Sequence, residues 1–262
     1  MKRIRFHVNA AKPAAAAAHA ELAALARSLG LLVTTGDDAD AILVLGGDGT
    51  ILRAVHAFPG KPVLGFNLGG LGYLSAVGRE DFETALRMFA AGRYRISERR
   101  LLAVNGKYAA LNDIVVTREL SGHVSRLDLE ADGKPVTRYL ADGLIFATPT
   151  GSTAYSLAAG GPVLMANSGS FVVTPLNPHA LGVRPLVIND DVRLKVTVRS
   201  RTDGNAVKVG VYADGANVLS LGEGEGVEIS KSGKTAKFVE LEGYDPYDVL
   251  ARKLGWSGSN VE

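Results

Sequence analysis

The sequence has no cysteine among its 262 residues, which excludes disulfide bonds and thiolate metal sites. No segment approaches the ~18 consecutive apolar residues that a membrane-spanning helix needs. The 29 basic and 27 acidic side chains nearly balance, which argues against nucleic acid or a membrane surface as a partner. A basic start at residues 2–5 is not followed by a secretory apolar segment, because His7 and Lys12 interrupt it. We therefore expect a cytoplasmic protein.

Short apolar runs alternate with helix-forming stretches in the first part of the chain, and 47% of all residues are hydrophobic. The runs typical of strands lie at 4–8, 31–35, 41–45 and 62–66, and the stretches typical of helices at 13–29, 50–58 and 81–91. This alternation predicts a doubly wound, Rossmann-like α/β domain with a parallel sheet. In such a domain, ligands bind at the carboxyl ends of the strands.

After about residue 97 the pattern changes to short runs rich in Val, Leu, Ile and Thr. Asn105-Gly106 and Asp132-Gly133 are strong hairpin signals, so this region is predicted to form a β-sandwich-like domain. Residues 245–256 again resemble a helix, with Pro246 in its first turn. We expect an α/β domain of residues 1–97 plus 245–262, to which the last helix returns, and a β-rich domain of residues 98–244.

A glycine-rich turn, Gly46-Gly47-Asp48-Gly49-Thr50, follows the predicted buried strand at 41–45. A strand, a glycine turn and a helix N-terminus together make a phosphate-sized cavity lined with backbone N–H groups. The lysine of a Walker loop is absent, and Leu52 replaces the third glycine of a dinucleotide fingerprint. Because a carboxylate repels phosphate, Asp48 is expected either to hold a metal ion or to accept a proton, or else merely to cap the helix.

Several polar segments further along the chain accompany this turn. They are Leu111-Asn112-Asp113, Asp142-Gly143, the run Thr148–Pro162, Thr174–His179 and Arg184-Pro185-Leu186. The glycine turn resembles a signature shared by NAD kinases, diacylglycerol-type lipid kinases and phosphofructokinases. The later segments narrow the resemblance to the NAD kinase family, over about residues 40 to 215. The run at 148–162 is the most specific of them, and its middle is predicted to form about two helical turns that begin at a Ser/Thr cap.

The resemblance implies phosphorylation of NAD at the 2′-hydroxyl of its adenosine ribose, giving NADP, with Asp48 as the general base. ATP, another nucleoside triphosphate or polyphosphate would be the phosphoryl donor. Mg²⁺ would arrive with ATP rather than be held by the protein alone. The family resemblance also implies a homodimer or homotetramer, with NAD in a cleft between the two domains.

Carried over position by position, the resemblance implies two groups of site residues. NAD would be bound by Gly49, Arg53, Tyr73, Asn112, Asp113, Asp142, Thr153, Ala154, Tyr155, Ala158 and Asn177. The phosphate or donor side would be formed by Gly46, Gly47, His123 and Asp214. Asn112 and Asp113 would hold the adenosine part of NAD, and Asp142 its nicotinamide end. Arg53 could reach a phosphate, or it could be a solvated arginine on the face of the helix.

A second glycine-rich turn, with Gly69, Gly70 and Gly72, follows the predicted strand at 62–66. Some positions depart from the family pattern, namely Ala216 after Asp214-Gly215, Tyr73-Leu74 in this second glycine turn, and His123. They leave nucleotide preference open. Two alternatives to an NAD kinase are a lipid kinase of the related superfamily and a non-catalytic NAD-binding module. Among the other polar residues, Ser152 is expected to cap a helix, and Asp190-Asp191 to lie in a solvated turn.

Overall fold

The computed structural model describes residues 2–9, 13–70, 72–75, 77–119, 124–199 and 208–256. The chain divides into two compact units, Met1–Glu98 with Ala236–Glu262, and Arg99–Thr235. We call them the α/β unit and the β unit. Residues 236–244, which the sequence analysis placed in the β-rich domain, belong to the α/β unit.

The described residues contain sixteen strands and five α-helices. The strands are β1 Arg3–Val8, β2 Leu32–Val33, β3 Ala41–Leu45, β4 Pro62–Phe66, β5 Tyr94–Val104, β6 Tyr108–Ala110, β7 Asp113–Arg118, β8 Ser125–Ala131, β9 Lys134–Ala141, β10 Gly143–Ala147, β11 Ser170–Leu176, β12 Leu186–Asn189, β13 Leu194–Arg199, β14 Val209–Ala213, β15 Ala216–Leu221 and β16 Gly226–Leu241. The helices are α1 Pro13–Ser28, α2 Asp48–Ala57, α3 Phe82–Ala90, α4 Tyr155–Ala158 and α5 Pro246–Leu254.

The α/β unit contains the predicted parallel sheet, with strand order β2-β1-β3-β4 and the end of β16 beside β4. All five residues of β3 are buried, which explains why this strand is a continuous apolar run. Its core also contains Leu86 and Phe89 of α3 and Val239 of β16. The Rossmann-like prediction is confirmed, and β3 and β4 each end in a glycine-rich turn.

The C-terminal helix α5 belongs to the α/β unit. The Asp245 side chain accepts a hydrogen bond from the Tyr247 N–H at 2.8 Å, Pro246 occupies the first turn, and Gly255 ends the helix with φ 66°. These are the expected start and stop signals of a helix.

The β unit contains two sheets that share one apolar core. One sheet has the order β12-β11-β10-β7-β14-β15, and the other contains β13, β8 and β9 with the first part of β16. Phe146 from the first sheet and Leu127 from the second are both fully buried in this core. The sandwich-like prediction is therefore confirmed.

Three hairpin turns in the β unit have left-handed backbone at an Asx-Gly pair, namely Asn105-Gly106, Asp132-Gly133 and Asp214-Gly215. Left-handed φ at both residues is the type I′ geometry that suits the twist of antiparallel strands. The first two turns were predicted from the dipeptide. The third has the same signal, although the sequence analysis interpreted it only through the family resemblance.

Two local predictions in the β unit are wrong, one of them in part. Asp190-Asp191 form the predicted turn and Asp191 is exposed, but Asp190 is buried between Arg100 and Lys231, at 2.6 and 2.9 Å. Ser152 does not cap a helix: its hydroxyl donates to the Pro149 carbonyl at 2.7 Å and accepts from the Leu164 N–H at 2.9 Å. Among the described residues, the helices are all too short or too polar to cross a membrane.

Candidate active site

The first glycine turn connects β3 to α2 in the α/β unit. The Gly46 N–H donates to the Phe66 carbonyl at 2.9 Å, and the N–H of Thr50 closes the turn on the Gly47 carbonyl at 2.8 Å. A side chain at Gly46 would overlap that of Thr50, whereas nothing lies within 4 Å of the position that a Cβ would take at Gly47 or Gly49. The backbone at these two glycines is therefore open to a ligand, beside the N-terminus of a ten-residue helix that favours anions.

Asp48 is the first residue of α2, two residues before the predicted start of that helix. Its side chain does not cap the helix, since the N-cap residue is Gly47 and makes no side-chain bond. Instead, Oδ2 accepts from the Tyr73 N–H at 2.8 Å, and Oδ1 accepts from the N–H groups of Leu74 and Ser75 at 3.1 and 3.2 Å. The helix-cap interpretation of Asp48 is wrong, because the carboxylate binds the second glycine turn.

Arg53 lies one turn into α2, on its exposed side, and its Nη2 donates to the Thr50 hydroxyl at 3.3 Å. It also acts on His7 at the end of β1. Burial lowers the pKa of His7, and the positive charges of Arg53 and Arg5 lower it further. Arg53 and Arg5 thus place positive charge near His7 at this edge of the sheet, and positive charge favours a phosphate.

Tyr73 has its ring 5.4 Å from the Lys253 ammonium of α5, in a cation–π contact. Burial raises the pKa of its phenol, and the charge of Asp48 raises it further. The C-terminal helix therefore contacts the same turn that binds the Asp48 carboxylate.

In the β unit, Asp214 holds the segment Leu111–Asp113. Its Oδ2 accepts from the Leu111 N–H at 2.7 Å, and its Oδ1 accepts from the N–H groups of Asn112 and Asp113 at 2.8 and 3.2 Å. The Asp113 N–H to carboxylate bond brings two acidic residues together. Burial raises the pKa of Asp113, and the neighbouring Asp214 charge raises it further, to about 7.

The run at 148–162 packs against this segment. The Thr148 hydroxyl donates to the Leu111 carbonyl at 2.5 Å and accepts from the Gly151 N–H at 3.0 Å. A 3₁₀ turn at Gly151–Thr153 is followed by Ala154 and the single turn of α4, which holds Tyr155 and Ala158. The predicted helical turns are present, and the hydroxyl that accepts a backbone N–H at their start is that of Thr148.

A cavity of about 340 Å³ opens beside α4 within the β unit. Asp142, Tyr155 and Asn177 line it, together with residues of β7 and Leu176. The Asp142 carboxylate accepts from Asn177 Nδ2 at 2.9 Å and pairs with Arg118 Nη2 at 3.0 Å. Tyr155 is 48% exposed, so its ring is accessible beside this cavity.

The structure thus groups the predicted site residues within each unit. Gly46, Gly47, Asp48, Gly49, Arg53 and Tyr73 surround the first glycine turn, and Asn112, Asp113 and Asp214 form one hydrogen-bonded segment. Asp142, Tyr155 and Asn177 share the cavity. His123 lies outside the described residues.

Sequence reasoning missed three polar residues in these groups. Arg118 pairs with Asp142, and Ser75 and Asn67 support Asp48. Arg118 is the last residue of β7, and an arginine at the end of a strand is a weak signal. Asn67 and Ser75 flank the second glycine turn, but nothing in their spacing indicates a contact with residue 48.

Comparisons with known proteins give a consistent result. The family model for the ATP-NAD kinase N-terminal domain matches residues 10–94, and the model for the ATP-NAD kinase C-terminal domain matches residues 111–241. The NAD kinase of Symbiobacterium thermophilum is 40% identical over 227 residues, covering 83% of this chain and 79% of its own. That of Carboxydothermus hydrogenoformans is 37% identical over 225 residues, covering 82% and 79%.

Solved structures are similar as well. An NAD kinase from Archaeoglobus fulgidus in complex with ATP superposes with a TM-score of 0.80, at 25% identity, and the match covers 98% of this chain and 99% of that one. Yeast NADH kinase complexed with NADH gives a TM-score of 0.86 over 99% of this chain and 89% of its own, at 24% identity, which bears on the fold alone. The two family models together span most of the sequence, and the chain belongs to the NAD kinase family.

Proposed function

We propose that this NAD kinase transfers the terminal phosphoryl group of ATP to the 2′-hydroxyl of the adenosine ribose of NAD, giving NADP and ADP, with Asp48 as the general base. The observation that carries the proposal is the first glycine turn. It places a carboxylate at the carboxyl end of β3, between two glycines whose backbone is open to a phosphate. The relative from A. fulgidus was solved with ATP, which supports ATP as the donor here.

The oxygen of the 2′-hydroxyl forms a bond to the terminal phosphorus of ATP, and the bond from that phosphorus to the bridging oxygen breaks. ADP leaves with the electron pair, and the proton of the hydroxyl passes to Asp48, which later releases it to water. A ribose hydroxyl is a poor nucleophile, and a positioned base contributes typically 10²–10⁴-fold to such a step. The rest of the acceleration comes from alignment and from stabilising the spread phosphate charge.

We propose Mg²⁺ as the divalent cation, bound with ATP. Within the described part of the chain there is no group of three or more His, Asp or Glu residues that could hold a metal ion. Both oxygens of Asp48 and of Asp214 already accept backbone N–H groups. A preformed protein cage for Mg²⁺ does not fit these residues, whereas phosphate oxygens and water are ligands that this ion prefers.

The donor phosphates are proposed to lie over Gly46 and Gly47. The N-terminus of α2 and the guanidinium of Arg53 favour negative charge there. Asp214 and His123 stay predictions for this side, and His123 lies outside the described residues. The Asp214 carboxylate also has a structural role, since it accepts hydrogen bonds from the backbone N–H groups of residues 111–113.

NAD is proposed to be bound by Gly49, Arg53 and Tyr73 of the α/β unit and by the following residues of the β unit: Asn112, Asp113, Asp142, Thr153, Ala154, Tyr155, Ala158 and Asn177. The exposed Tyr155 ring offers a flat apolar surface for a nucleotide ring. Asp142 carries a carboxylate acceptor, and its partner Arg118 fixes its orientation in the cavity. An amide group such as that of nicotinamide supplies the matching N–H donors.

The relatives and family models identify an NAD kinase rather than a lipid kinase or a non-catalytic module. Location in the cytoplasm and assembly into a homodimer or homotetramer remain proposals. The second is checked by light scattering, where we expect a mass of two or four 27.5 kDa chains.

The direct test is incubation of the purified protein with NAD, Mg²⁺ and one phosphoryl donor at a time. We expect NADP from ATP, detected with an NADP-specific dehydrogenase. Parallel reactions with other nucleoside triphosphates, polyphosphate and NADH define the substrate range. Absence of NADP with every donor, despite measurable NAD binding, would contradict the proposed function.

A further inference from the structure

The second glycine turn forms a cradle for the Asp48 carboxylate. Three consecutive backbone N–H groups, of residues 73, 74 and 75, donate to it, and the Ser75 hydroxyl adds a fourth bond to Oδ1 at 3.1 Å. Gly72 makes this approach possible, because a Cβ at that position would overlap both Asp48 Oδ1 and Ser75 Oγ. Residues 73–75 therefore hydrogen-bond to Asp48 at distances typical of a local turn, although they lie 25 to 27 positions away in the sequence.

The four bonds are distributed unequally between the two carboxylate oxygens. Among the described residues, Oδ1 accepts from Leu74 N–H, Ser75 N–H and Ser75 Oγ, whereas Oδ2 accepts only from Tyr73 N–H. An ionised carboxylate has about four acceptor positions, two on each oxygen. Oδ1 is thus saturated, and one position on Oδ2 is left for another donor.

The direction of the Ser75 hydroxyl is fixed by Asn67, a residue that follows β4. Asn67 Nδ2 donates to Ser75 Oγ at 2.9 Å and to the Gly70 carbonyl at 2.5 Å, and Asn67 Oδ1 accepts from the Gly69 N–H at 2.9 Å. These partners determine which end of the amide carries the nitrogen. Since Ser75 Oγ accepts from Asn67, its single proton is directed to Asp48.

Both supporting side chains are buried, Asn67 at 4% and Ser75 at 0% exposure. A buried polar chain of this kind is stabilised only when each member has its partner, so it fixes one geometry. An apolar residue at either position would leave a polar group without a partner.

We propose that Asn67 and Ser75 are positioning residues that act through Asp48, holding Oδ1 so that Oδ2 receives the proton of the 2′-hydroxyl. The inference rests on the proposed role of Asp48 as the general base. It adds a chain, Asn67 to Ser75 to Asp48, in which each residue orients the next. Gly72 belongs to the same device, because it allows the close approach.

The test is a double-mutant cycle between residues 75 and 48, with kcat measured by release of labelled product from a labelled donor. Ser75→Ala should lower kcat about tenfold to a hundredfold, the effect of losing one hydrogen bond to a charged group. The Kd for NAD, from calorimetry, should change less than about twofold, and Ser75→Thr should restore most of kcat because it keeps the hydroxyl. Ser28→Ala, which removes an exposed hydroxyl bonded within α1, is the control and should match the wild type.

The cycle separates a positioning role from a general effect on folding. In an Asp48→Asn background, Ser75→Ala and Asn67→Ala should each change the residual kcat less than about twofold, because residues that act as one unit are not additive. Equal loss in both backgrounds would overturn the inference, as would an unchanged kcat in Ser75→Ala. If Asp48→Asn alone keeps kcat, the base role itself fails and takes the inference with it. If Asp48→Asn abolishes kcat while Ser75→Ala does not lower it, only the inference fails.

Discussion

Asp48 and Asp214 bind backbone in the same way. Each carboxylate accepts from three consecutive N–H groups, at residues 73–75 and 111–113. Charge-assisted bonds of this kind are stronger than bonds between neutral groups. Each acidic residue therefore fixes a segment that carries predicted site residues, Tyr73 in one case and Asn112-Asp113 in the other.

Asp48→Asn is expected to lower kcat by about a hundredfold or more, because the amide cannot accept the proton of the 2′-hydroxyl. The Asn oxygen can still accept the bonds that Oδ1 makes, so KM for NAD should change less than about threefold. The measurement is steady-state kinetics with saturating ATP. Asp37→Asn is the matched control, since its side chain is 99% exposed and, within the described part of the chain, pairs only with Arg5. An unchanged kcat would exclude Asp48 as the base.

Asp113→Asn is expected to stabilise the protein at neutral and higher pH. The pKa of Asp113 is raised in the folded state, from 3.8 to about 7, first by burial and then by Asp214. Between these two values the folded chain keeps a proton that the unfolded chain releases, so this group makes stability fall as pH rises through that window. The variant has no such group and does not lose stability in this way. Its free energy of unfolding relative to that of the wild type should therefore rise by about 2–4 kcal/mol between pH 4 and pH 8. Urea unfolding at several pH values measures it, and parallel pH curves for the two proteins would contradict the expectation.

At the scale of elements, the site depends on the contact between the 3₁₀ turn at Gly151–Thr153 and the segment before β7. The Thr148 N–H and hydroxyl donate to the carbonyls of Asn112 and Leu111, at 2.9 and 2.5 Å. A Cβ at Gly151 would overlap the backbone of Asn112. Glycine at this position therefore lets the two segments touch.

Gly151→Ala is expected to push these segments apart, because backbone atoms cannot move aside as a flexible side chain can. We expect a loss of stability of about 1–3 kcal/mol and a several-fold increase in the Kd for NAD. Urea unfolding and calorimetry measure the two effects. Gly233→Ala is the control, since a Cβ there meets nothing within 4 Å. Equal affinity in the two variants would show that NAD does not depend on this contact.

Local signals in the sequence were sufficient for most elements. The buried run at 41–45 predicted β3, and Asp132-Gly133 predicted the β8–β9 hairpin, because both depend on neighbouring residues alone. The predicted start of α2 is two residues late, because the glycines on both sides of Asp48 are typical of a turn and not of a helix. The burial of Asp190 could not be predicted, because its partners Arg100 and Lys231 lie far away in the sequence.

The residues of the candidate site were predicted from the family resemblance and not from local signals. The family resemblance supplied the positions of Asp48, Asp142 and Tyr155, which spacing alone would have left as a turn, a strand end and a short helix. It did not supply the supports of these residues. The Ser75 hydroxyl bonds to Asp48, which lies 27 positions away in the sequence. Arg118 pairs with Asp142, although the strands β8 and β9 separate the two residues in the sequence. Such contacts depend on packing that a sequence pattern does not encode.

At the scale of the whole molecule, each unit has its own apolar core. A ligand that binds only the folded chain stabilises it by mass action, by about 2.7 kcal/mol at a concentration of 100 times Kd. NAD should therefore raise the melting temperature of the wild type by several degrees. The size of that shift reports binding without any contribution from the chemical step.

Asp142→Asn is expected to halve this NAD-induced shift. The substitution removes the charge that pairs with Arg118 and the acceptor of Asn177 Nδ2, and a tenfold loss of affinity lowers the stabilisation to about 1.4 kcal/mol. Asp128→Asn is the matched control, because Asp128 also pairs with arginines of the β unit, Arg138 and Arg199, at 2.6 and 2.8 Å. Both variants should melt earlier than the wild type without NAD, since each breaks an ion pair. Only Asp142→Asn should also lose part of the response to NAD, and an equal response in both variants would place the nicotinamide end away from Asp142.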